Sequence, residues 1–327
     1  MTLSATKASE LTTVVIPNWN GLRWLEGLFR SLNEQSLAPA AVVVIDNGST
    51  DGSPELIERL WPSATIERWP DNRGFAAAAN RGFELANTDF VALVNTDIEL
   101  AADWLERSEA KLTLEPSAAS VATKMMDLND PTKIYDTGDF LRRDGATEQR
   151  GRFRTDAGNF DEPGEVWSAC AGAALYRRSA VVEAGGFDEF LGTYLEDVEL
   201  GLRLQLAGWS CVYEPCIAKH AGGGSEAGLS GGATRWVERN TIIIVARYFP
   251  ARWLGLVAYR QVAWAVHHAR SGTLAPWLQG LCSGLAALPT VLRARASAPS
   301  SKRPIEQAIP NRPWRGRAAG GHRHSAE

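Results

Sequence analysis

Cysteine is scarce in this sequence, and its spacing excludes several kinds of site. Four cysteines occur among 327 residues, Cys170, Cys211, Cys216 and Cys282, and no two of them form a CxxC pair. They make no dense disulfide framework, which favours a reducing compartment. The N-terminus lacks a charged segment followed by a long apolar one, so no secretory signal is predicted. The chain is expected to work in the cytoplasm or on the inner face of the cell membrane.

Two common phosphate-binding motifs are also missing. No GxGxxG follows the first predicted strand, and no Walker-type lysine motif occurs. The usual dinucleotide-binding fold and the P-loop enzymes are therefore not supported.

The sequence also lacks a continuous apolar segment that would be expected to span a membrane. Ser271–Leu292 is a stretch of 22 residues without charge, but it contains three glycines and two prolines. A spanning helix needs about 20 predominantly apolar residues, so this stretch is not expected to span. Arg252–His268 and Trp277–Leu292 are predicted to be apolar helices. Two interpretations stay open: helices lying on a membrane surface, or a hairpin packed on the main domain or on a second subunit.

Charge is unevenly distributed. The net charge is −4, and residues 293–327 hold eight Lys/Arg against two acids, so residues 1–292 carry about −10. This split argues against a nucleic-acid-binding core and predicts a solvated, disordered basic arm. We expect three parts: a main domain over residues 1–240, an apolar helical appendage over 241–295 and the basic tail over 296–327.

The first hundred residues alternate between apolar strands and helices. Short β-branched or continuous apolar runs predict strands, and the segments between them have helical periodicity; the strands are at Thr12–Pro17, Ala41–Ile45, Ala64–Arg68 and Phe90–Val94. This pattern predicts an α/β fold with a mostly parallel, Rossmann-like sheet covered by helices on both faces. Met125–Trp167 has little periodicity and is expected to form a hairpin and a flexible loop.

Polar loops follow three of these strands: PNWNG from Pro17, DNGSTDGS from Asp46, and NTD from Asn95. The last loop ends a buried strand on Asp97 without a glycine or proline turn. Ligands bind beyond the carboxyl ends of such strands, although Asp46 and Asp97 could equally serve as turn or helix-capping residues. Since these loops supply no lysine, a nucleotide diphosphate held there would need a cation, and Asp97 could bind it.

Two later segments complete the candidate site. Glu196 and Asp197 begin a predicted helix, where acids cap the helix dipole or act as a base with a low pKa. His220 precedes small residues that would let a ligand approach the backbone, and it could also be an ordinary structural histidine.

Seven motifs then occur in register: VVIPNWNG, DNGSTDGS, NRGFAAAANRG, LVNTD, GGFDE, YLEDVELGLRLQLAGW and KHAGGGS. Together they resemble the inverting nucleotide-sugar glycosyltransferases of family 2, with the GT-A fold. The similarity is greatest to the bacterial rhamnosyltransferase-like branch that elongates cell-surface polysaccharides, and it covers roughly Leu11–Asn240.

The resemblance implies a role for each matching position. It implies Asp197 as general base beside Glu196, and Asp97 with His220 as ligands of Mn²⁺ or Mg²⁺. The nucleotide-sugar would be bound by Pro17, Asn18, Asn20, Asp46, Asn72, Arg73, Gly74, Asn80, Asn95 and Thr96. One departure is Asn95, which replaces the first acid of the DxD motif and puts the strength of metal dependence in doubt.

The resemblance implies a dTDP- or UDP-sugar donor, with rhamnose the first candidate, and a glycan or lipid-linked acceptor. Galactose and glucose donors stay open. One alternative is a sugar nucleotidyltransferase, although the first loop is not the glycine-rich, basic loop expected of such an enzyme. The other is a noncatalytic sugar-nucleotide-binding assembly protein.

Overall fold

The computed structural model describes residues 7–222, 232–296 and 301–311. The strands are β1 Lys7–Ala8, β2 Thr12–Asn18, β3 Leu37–Ala38, β4 Ala41–Asp46, β5 Thr65–Arg68, β6 Phe90–Val94, β7 Ile98–Leu100, β8 Ala118–Asp127, β9 Ile134–Asp136, β10 Asp139–Leu141, β11 Thr147–Gln149, β12 Gly164–Val166, β13 Ala173–Arg177 and β14 Ser210–His220. The helices are α1 Leu22–Asn33, α2 Ser53–Leu60, α3 Phe75–Leu85, α4 Trp104–Leu114, α5 Arg178–Glu183, α6 Glu196–Leu206, α7 Gly232–Tyr248, α8 Leu254–Ser271, α9 Leu274–Ala296 and α10 Ile305–Ala308.

One large mixed sheet forms the centre of the molecule. Its strand order is β12-β14-β8-β13-β6-β2-β4-β5, with β7 paired to β14 and β9 paired to β8. β6, β2, β4 and β5 are mutually parallel, whereas β13 runs antiparallel between β6 and β8. The α/β fold class predicted from the sequence is confirmed. The parallel half places the ends of β2, β4 and β6 at one edge, where ligands bind in such sheets.

Helices cover both faces of this sheet, as the continuous apolar strands require. On one face α1 buries Leu25, Leu28 and Phe29 beside residues of α2 and α4. On the other face α3 presents mainly alanines. A Cβ added to Gly82 would lie 2.1 Å from a methyl group of Val15, so the small residues of α3 let the helix lie close on the strands.

The middle region, predicted as a hairpin and a flexible loop, is more ordered than the sequence indicated. It contains the end of β8, then β9, the antiparallel hairpin of β10 with β11, and β12 paired to β14. The buried ammonium of Lys124 forms ion pairs with Asp156, at 2.5 Å, and with Asp161. Because unpaired buried charges are costly, these ion pairs hold the segment from Asp156 to Asp161 against the sheet.

The C-terminal helices do not begin at a boundary near residue 240, because α7 runs through that position. α9 crosses α7 closely: added Cβ atoms at Gly280 and Gly284 would lie 2.4 Å from the carbonyl oxygen of Arg235 and 2.7 Å from Cβ of Ile242. α8 buries only Val257 among its described side chains. Among the described helices, none has the length and apolar character needed to cross a membrane.

Part of the predicted basic arm is packed rather than solvated. Ala308 and Ile309 are fully buried in a cluster with Trp253 and other apolar residues. Trp167 donates its indole N–H to the carbonyl of Ala308 at 2.6 Å, and Arg143 donates to the carbonyl of Ile309 at 2.8 Å. Disorder is therefore the wrong prediction for residues 301–311, while residues 312–327 lie outside the described part.

A buried acid joins α7 to α9. The Glu238 carboxylate accepts a hydrogen bond from the Trp277 indole at 2.9 Å, and burial raises its pKa to about 7. A carboxyl group with a raised folded-state pKa stabilises the fold at low pH, and that contribution is lost as the pH rises from about 4.5 through 7.

Replacing Glu238 with glutamine is expected to stabilise the protein at pH 8 by on the order of 2 kcal/mol and to leave pH 5 nearly unchanged, because the amide stays neutral. Thermal unfolding at both pH values measures this. The exposed Glu10→Gln is the matched control. Equal melting temperatures for Glu238→Gln and the wild type at pH 8 would contradict the assignment.

Candidate functional site

The loops after β2, β4 and β6 meet at the predicted edge of the sheet. They enclose a cavity of about 430 Å³, here called cavity I. Its lining residues are Pro17, Asn18, Trp19, Asn47, Asn72, Arg73, Gly74, Phe75, Asn95, Thr96, Asp97, Gly192, Thr193 and Trp236. Eight of the predicted site residues are therefore brought together: Pro17, Asn18, Asn72, Arg73, Gly74, Asn95, Thr96 and Asp97.

Three of the ten residues predicted to bind the nucleotide-sugar do not line cavity I. Asp46 is buried, and its carboxylate accepts a hydrogen bond from the Asn18 amide at 2.8 Å. Asn20 accepts a hydrogen bond from the backbone N–H of Thr50 at 2.9 Å, inside the DNGSTDGS turn. Asn80 binds the backbone of Phe187 through both its amide nitrogen and its oxygen. In this structure Asp46 therefore orients Asn18, while Asn20 and Asn80 fix loops.

Asn47 is a lining residue that the sequence analysis did not single out. Its side chain donates to the oxygen of Asn72 and to the carbonyl of Gly74, both at 3.0 Å, and it accepts from the backbone of Arg73 at 2.7 Å. Next to it, Gly48 has φ +77°, and an added Cβ would lie 2.6 Å from the backbone of Asp71. The two loops are thus locked together, and only glycine fits at the contact.

Asp97 and His220 lie side by side because β14 pairs with β7, with His220 opposite Ile98. Nε2 of His220 is 3.2 Å from a carboxylate oxygen of Asp97, and both side chains are buried. The His220 ring also packs edge-on against Tyr135, with centroids 4.2 Å apart. Asp97 and His220, which the resemblance implied as metal ligands, are therefore neighbours in the fold.

A second cavity, cavity II, adjoins the first and has a volume of about 450 Å³. Its lining includes Asp97, Tyr135, Asp139, Gln149, Arg152, Cys170, Glu196, Asp197 and His220. Phe75, Asn95, Asp97 and Thr193 line both cavities. The acids at positions 97 and 197, far apart in the chain, therefore face one cleft.

The acids that begin α6 are held in an unusual backbone turn. Tyr194 and Leu195 both have left-handed φ values, 65° and 66°, a conformation that is rare for such residues. The buried amide of Asn240 on α7 donates to the carbonyl of Tyr194 at 2.7 Å and to that of Thr193 at 2.9 Å. α7 thus fixes the turn that aims the acids into cavity II.

Asp197 accepts hydrogen bonds from the backbone N–H of Ala171 at 3.1 Å and from that of Val198 at 2.8 Å. Burial nevertheless raises its pKa, and burial together with the charge of Asp197 raises the pKa of Glu196 well above its usual range. The low pKa expected from the helix start is therefore wrong, because desolvation outweighs the helix dipole here.

Two further acids lie beside this pair and were missed. Asp136 and Asp139 are buried. Burial raises the pKa of Asp136 to about 6, and burial together with the Asp136 and Asp197 charges raises the pKa of Asp139 well above its usual range. They come from the aperiodic middle region, where the "DTGD" sequence has the composition of an ordinary turn. Asp197 therefore lies next to carboxyl groups that keep their protons more readily than exposed acids do.

Two sets of side chains could hold a divalent cation. Within the described residues, the one group of three ligand-type side chains close enough to share an ion is Asp139, Cys170 and Asp197. Burial raises the pKa of the Cys170 thiol well above its usual range, which makes it a poor ligand for hard ions that prefer oxygen.

Asp97 and His220 fit a cation better. Neighbouring ligands of an octahedral ion, each about 2.1 Å from it, lie roughly 3 Å apart, which matches the 3.2 Å between Nε2 and the carboxylate oxygen. Nδ1 of His220 is buried without a hydrogen-bond partner in the described part of the chain. Both side chains also border cavity II, and Asp97 borders cavity I as well.

Comparison with known sequences decides the family. The family described as "Glycosyl transferase family 2" matches residues 13–185, more than half of the chain. The chain belongs to glycosyltransferase family 2. It is thus a glycosyltransferase.

A curated relative supports a rhamnosyltransferase-like member of family 2. The N-acetylglucosaminyl-diphospho-decaprenol L-rhamnosyltransferase of Mycobacterium tuberculosis is 30% identical over 215 residues, which cover 58% of this chain and 69% of the relative.

Solved structures support the GT-A fold. S. aureus TarS 1-349 in complex with UDP-GlcNAc has a TM-score of 0.57 at 17% identity, covering 87% of this chain and 83% of the TarS 1-349 chain. GalNAc-T7 with UDP, GalNAc and Mn²⁺ also has a TM-score of 0.57, at 16% identity, and covers 74% of this chain. This chain spans 48% of the GalNAc-T7 chain, about half its length.

Proposed function

We propose that this family 2 enzyme moves rhamnose from a nucleoside diphosphate donor to a hydroxyl group of a lipid-linked glycan, with inversion at the anomeric carbon. The observation that carries the proposal is the placement of Asp97 and Asp197 on one cleft, with cavity I on the side of Asp97 and cavity II around Asp197. The diphosphate and the acceptor hydroxyl group would lie between the two acids.

Cavity I would bind the nucleoside diphosphate. The side-chain oxygen of Asn18, which has no hydrogen-bond partner in the described part of the chain, offers an acceptor, and the Asn72 amide lines the same cavity. The Arg73 guanidinium packs on the Trp69 ring, 4.6 Å from its centroid, and lines the same cavity, where it could pair with a phosphate. Rhamnose is proposed because the curated relative is named a rhamnosyltransferase.

Asp197 would act as the general base. It takes the proton of the acceptor hydroxyl as that oxygen forms a bond to the anomeric carbon, while the bond from this carbon to the donor phosphate breaks and the nucleoside diphosphate leaves with the electron pair. Its two backbone hydrogen bonds aim the carboxylate, which proximity catalysis requires. Asn240 supports this position by holding the preceding turn.

Asp97 and His220 would hold the divalent cation beside the diphosphate. A bound cation would stabilise the negative charge of the leaving group. With Asn95 in place of an acid, the protein supplies one negative charge fewer, so the diphosphate itself must supply much of the cation's shell.

A panel of sugar nucleotides tests the proposal. Ligands that bind the folded state raise its melting temperature by mass action, so dTDP-rhamnose with Mn²⁺ should raise it more than UDP-glucose or UDP-galactose does. The stabilising donor should then transfer its sugar to a diphospholipid-linked N-acetylglucosamine. Stabilisation by no sugar nucleotide, with and without Mn²⁺, would contradict the proposed function.

The C-terminal helices would bring the enzyme to its lipid-linked acceptor. α8 exposes Leu256, Tyr259, Val262 and Val266, with Tyr259 78% exposed. Leu254–Ala296 contains no Asp or Glu, and its charged residues are arginines. Apolar side chains with basic neighbours bind anionic lipid surfaces, so we include contact of α8 with the inner face of the membrane in the proposal.

Substituting Val262 with glutamate should weaken binding to vesicles that contain an anionic phospholipid by roughly tenfold, because a negative charge replaces an apolar side chain that would enter the lipid surface. Cosedimentation with such vesicles measures this. Leu114→Glu is the matched control, since Leu114 on α4 is 77% exposed but lies outside the C-terminal helices. Equal losses in both variants would contradict the assignment of α8.

A further inference from the structure

Cavity II is strongly acidic, with a single basic exception. Four carboxyl groups line it, those of Asp97, Asp139, Glu196 and Asp197. Arg152 is the one Lys or Arg side chain among its described lining residues. The charge of Arg152 partly offsets the effect of burial on the pKa of Asp136 and of Asp139, yet Arg152 forms no ion pair with either acid in the described part of the chain.

Aromatic and carbonyl contacts hold Arg152 in place. Its guanidinium lies 3.7 Å from the ring centroid of Tyr135 and donates to the Tyr135 carbonyl at 3.4 Å. No ion pair to Arg152 occurs in the described part of the chain. The same Tyr135 ring contacts His220 edge-on, so a row of side chains in contact runs from Arg152 to the proposed cation site. Stacking fixes the position of the guanidinium while its donors stay available.

Arg152 also borders a small surface cavity of about 160 Å³ together with Tyr135, Lys133 and Phe153. It therefore lies between the interior of cavity II and the surface. Phe153 is 76% exposed, has a left-handed φ of 63° and lies 4.7 Å from the Arg152 guanidinium. Rare backbone conformations of this kind cluster at active sites and ligand-binding sites.

We propose that Arg152 binds the diphosphate of the acceptor. The acceptor sugar would occupy cavity II, and its lipid chain would extend out of the cavity past Phe153. The proposal rests on the proposed function and names the part of the acceptor that this chain recognises. A guanidinium makes paired, charge-assisted hydrogen bonds to phosphate oxygens, and Lys133 adds a second positive charge at the opening. Arg152 would thus select a glycosyl diphosphate over the same sugar without phosphate.

The test uses two acceptors that carry the same sugar: N-acetylglucosaminyl diphosphate with a short alkyl chain, and octyl N-acetylglucosaminide. Binding of each to the full-length protein is first measured without donor, and transfer is measured afterwards. Arg152→Gln should weaken binding of the diphosphate acceptor and raise its KM by roughly 10- to 100-fold, the effect of losing a charged hydrogen-bond pair. Binding of the octyl glycoside and the KM of the donor should not change.

Two further variants serve as comparisons. Arg152→Lys should recover part of the affinity, since it restores the charge without the paired geometry. Arg154→Gln, an exposed arginine two residues away that lines neither cavity, should behave as the wild type.

Three results for Arg152→Gln would overturn the inference: unchanged binding of the diphosphate acceptor, an equal loss of binding for the octyl glycoside, or a raised KM for the donor instead of for the acceptor. The last result would assign the guanidinium to the donor. Failure of the proposed function is distinct, because wild-type protein would then bind the diphosphate acceptor yet transfer no sugar to it.

Discussion

Replacing Asp197 with asparagine is expected to lower kcat at least about a hundredfold, because general-base catalysis contributes typically 10²–10⁴-fold. The amide is nearly the same size and can still accept the hydrogen bond from the N–H of Ala171, so the turn before α6 should survive. What it lacks is the capacity to take the acceptor proton. Initial rates at saturating donor and acceptor measure the change.

The donor should still bind to the Asp197→Asn variant, since cavity I does not include this side chain. Titration with the nucleoside diphosphate and Mn²⁺ checks that point. Asp89→Asn, an exposed acid outside both cavities, is the matched control. Wild-type turnover by Asp197→Asn would remove Asp197 from the mechanism.

Replacing Asp97 with alanine should abolish most of the Mn²⁺ dependence of nucleotide binding. A cation held by Asp97 would attract the negatively charged diphosphate, so the Kd measured with Mn²⁺ should rise by roughly tenfold or more in the variant. The Kd measured with a chelator should stay nearly the same. Calorimetric titrations with and without Mn²⁺ provide both values.

The rival cluster supplies the control for that experiment. Asp139→Asn removes a carboxylate from the group of Asp139, Cys170 and Asp197 and should leave the Mn²⁺-dependent affinity for the nucleotide unchanged. If Asp139→Asn lost the Mn²⁺ effect and Asp97→Ala kept it, the cation would belong to the rival cluster.

The parallel half of the fold was predictable because its signals are local. Apolar runs such as Phe90–Val94 form strands that are buried on both faces, and polar residues directly after them must lie at the carboxyl edge of a parallel sheet. This geometry led from the sequence to Asp97. Asp197 was a candidate because it lies at a predicted helix start, but only the resemblance favoured a general base over a helix cap there.

The rest of the site depends on contacts between distant segments. Asp136 and Asp139 acquire their raised pKa values from burial against Asp197, which local composition does not reveal. Asn240 holds carbonyl groups more than forty residues earlier in the chain. The same applies to residues 301–311, whose basic composition predicted a solvated arm, although Ala308 and Ile309 pack into an apolar cluster.

Anomalous scattering from crystals grown with the nucleoside diphosphate and Mn²⁺ tests the shared cleft most directly. The account predicts a manganese peak roughly 2–2.5 Å from a carboxylate oxygen of Asp97, with the diphosphate in cavity I and the Asp197 carboxylate facing it from cavity II. A manganese peak between Asp139 and Asp197, with no nucleotide in cavity I, would contradict it.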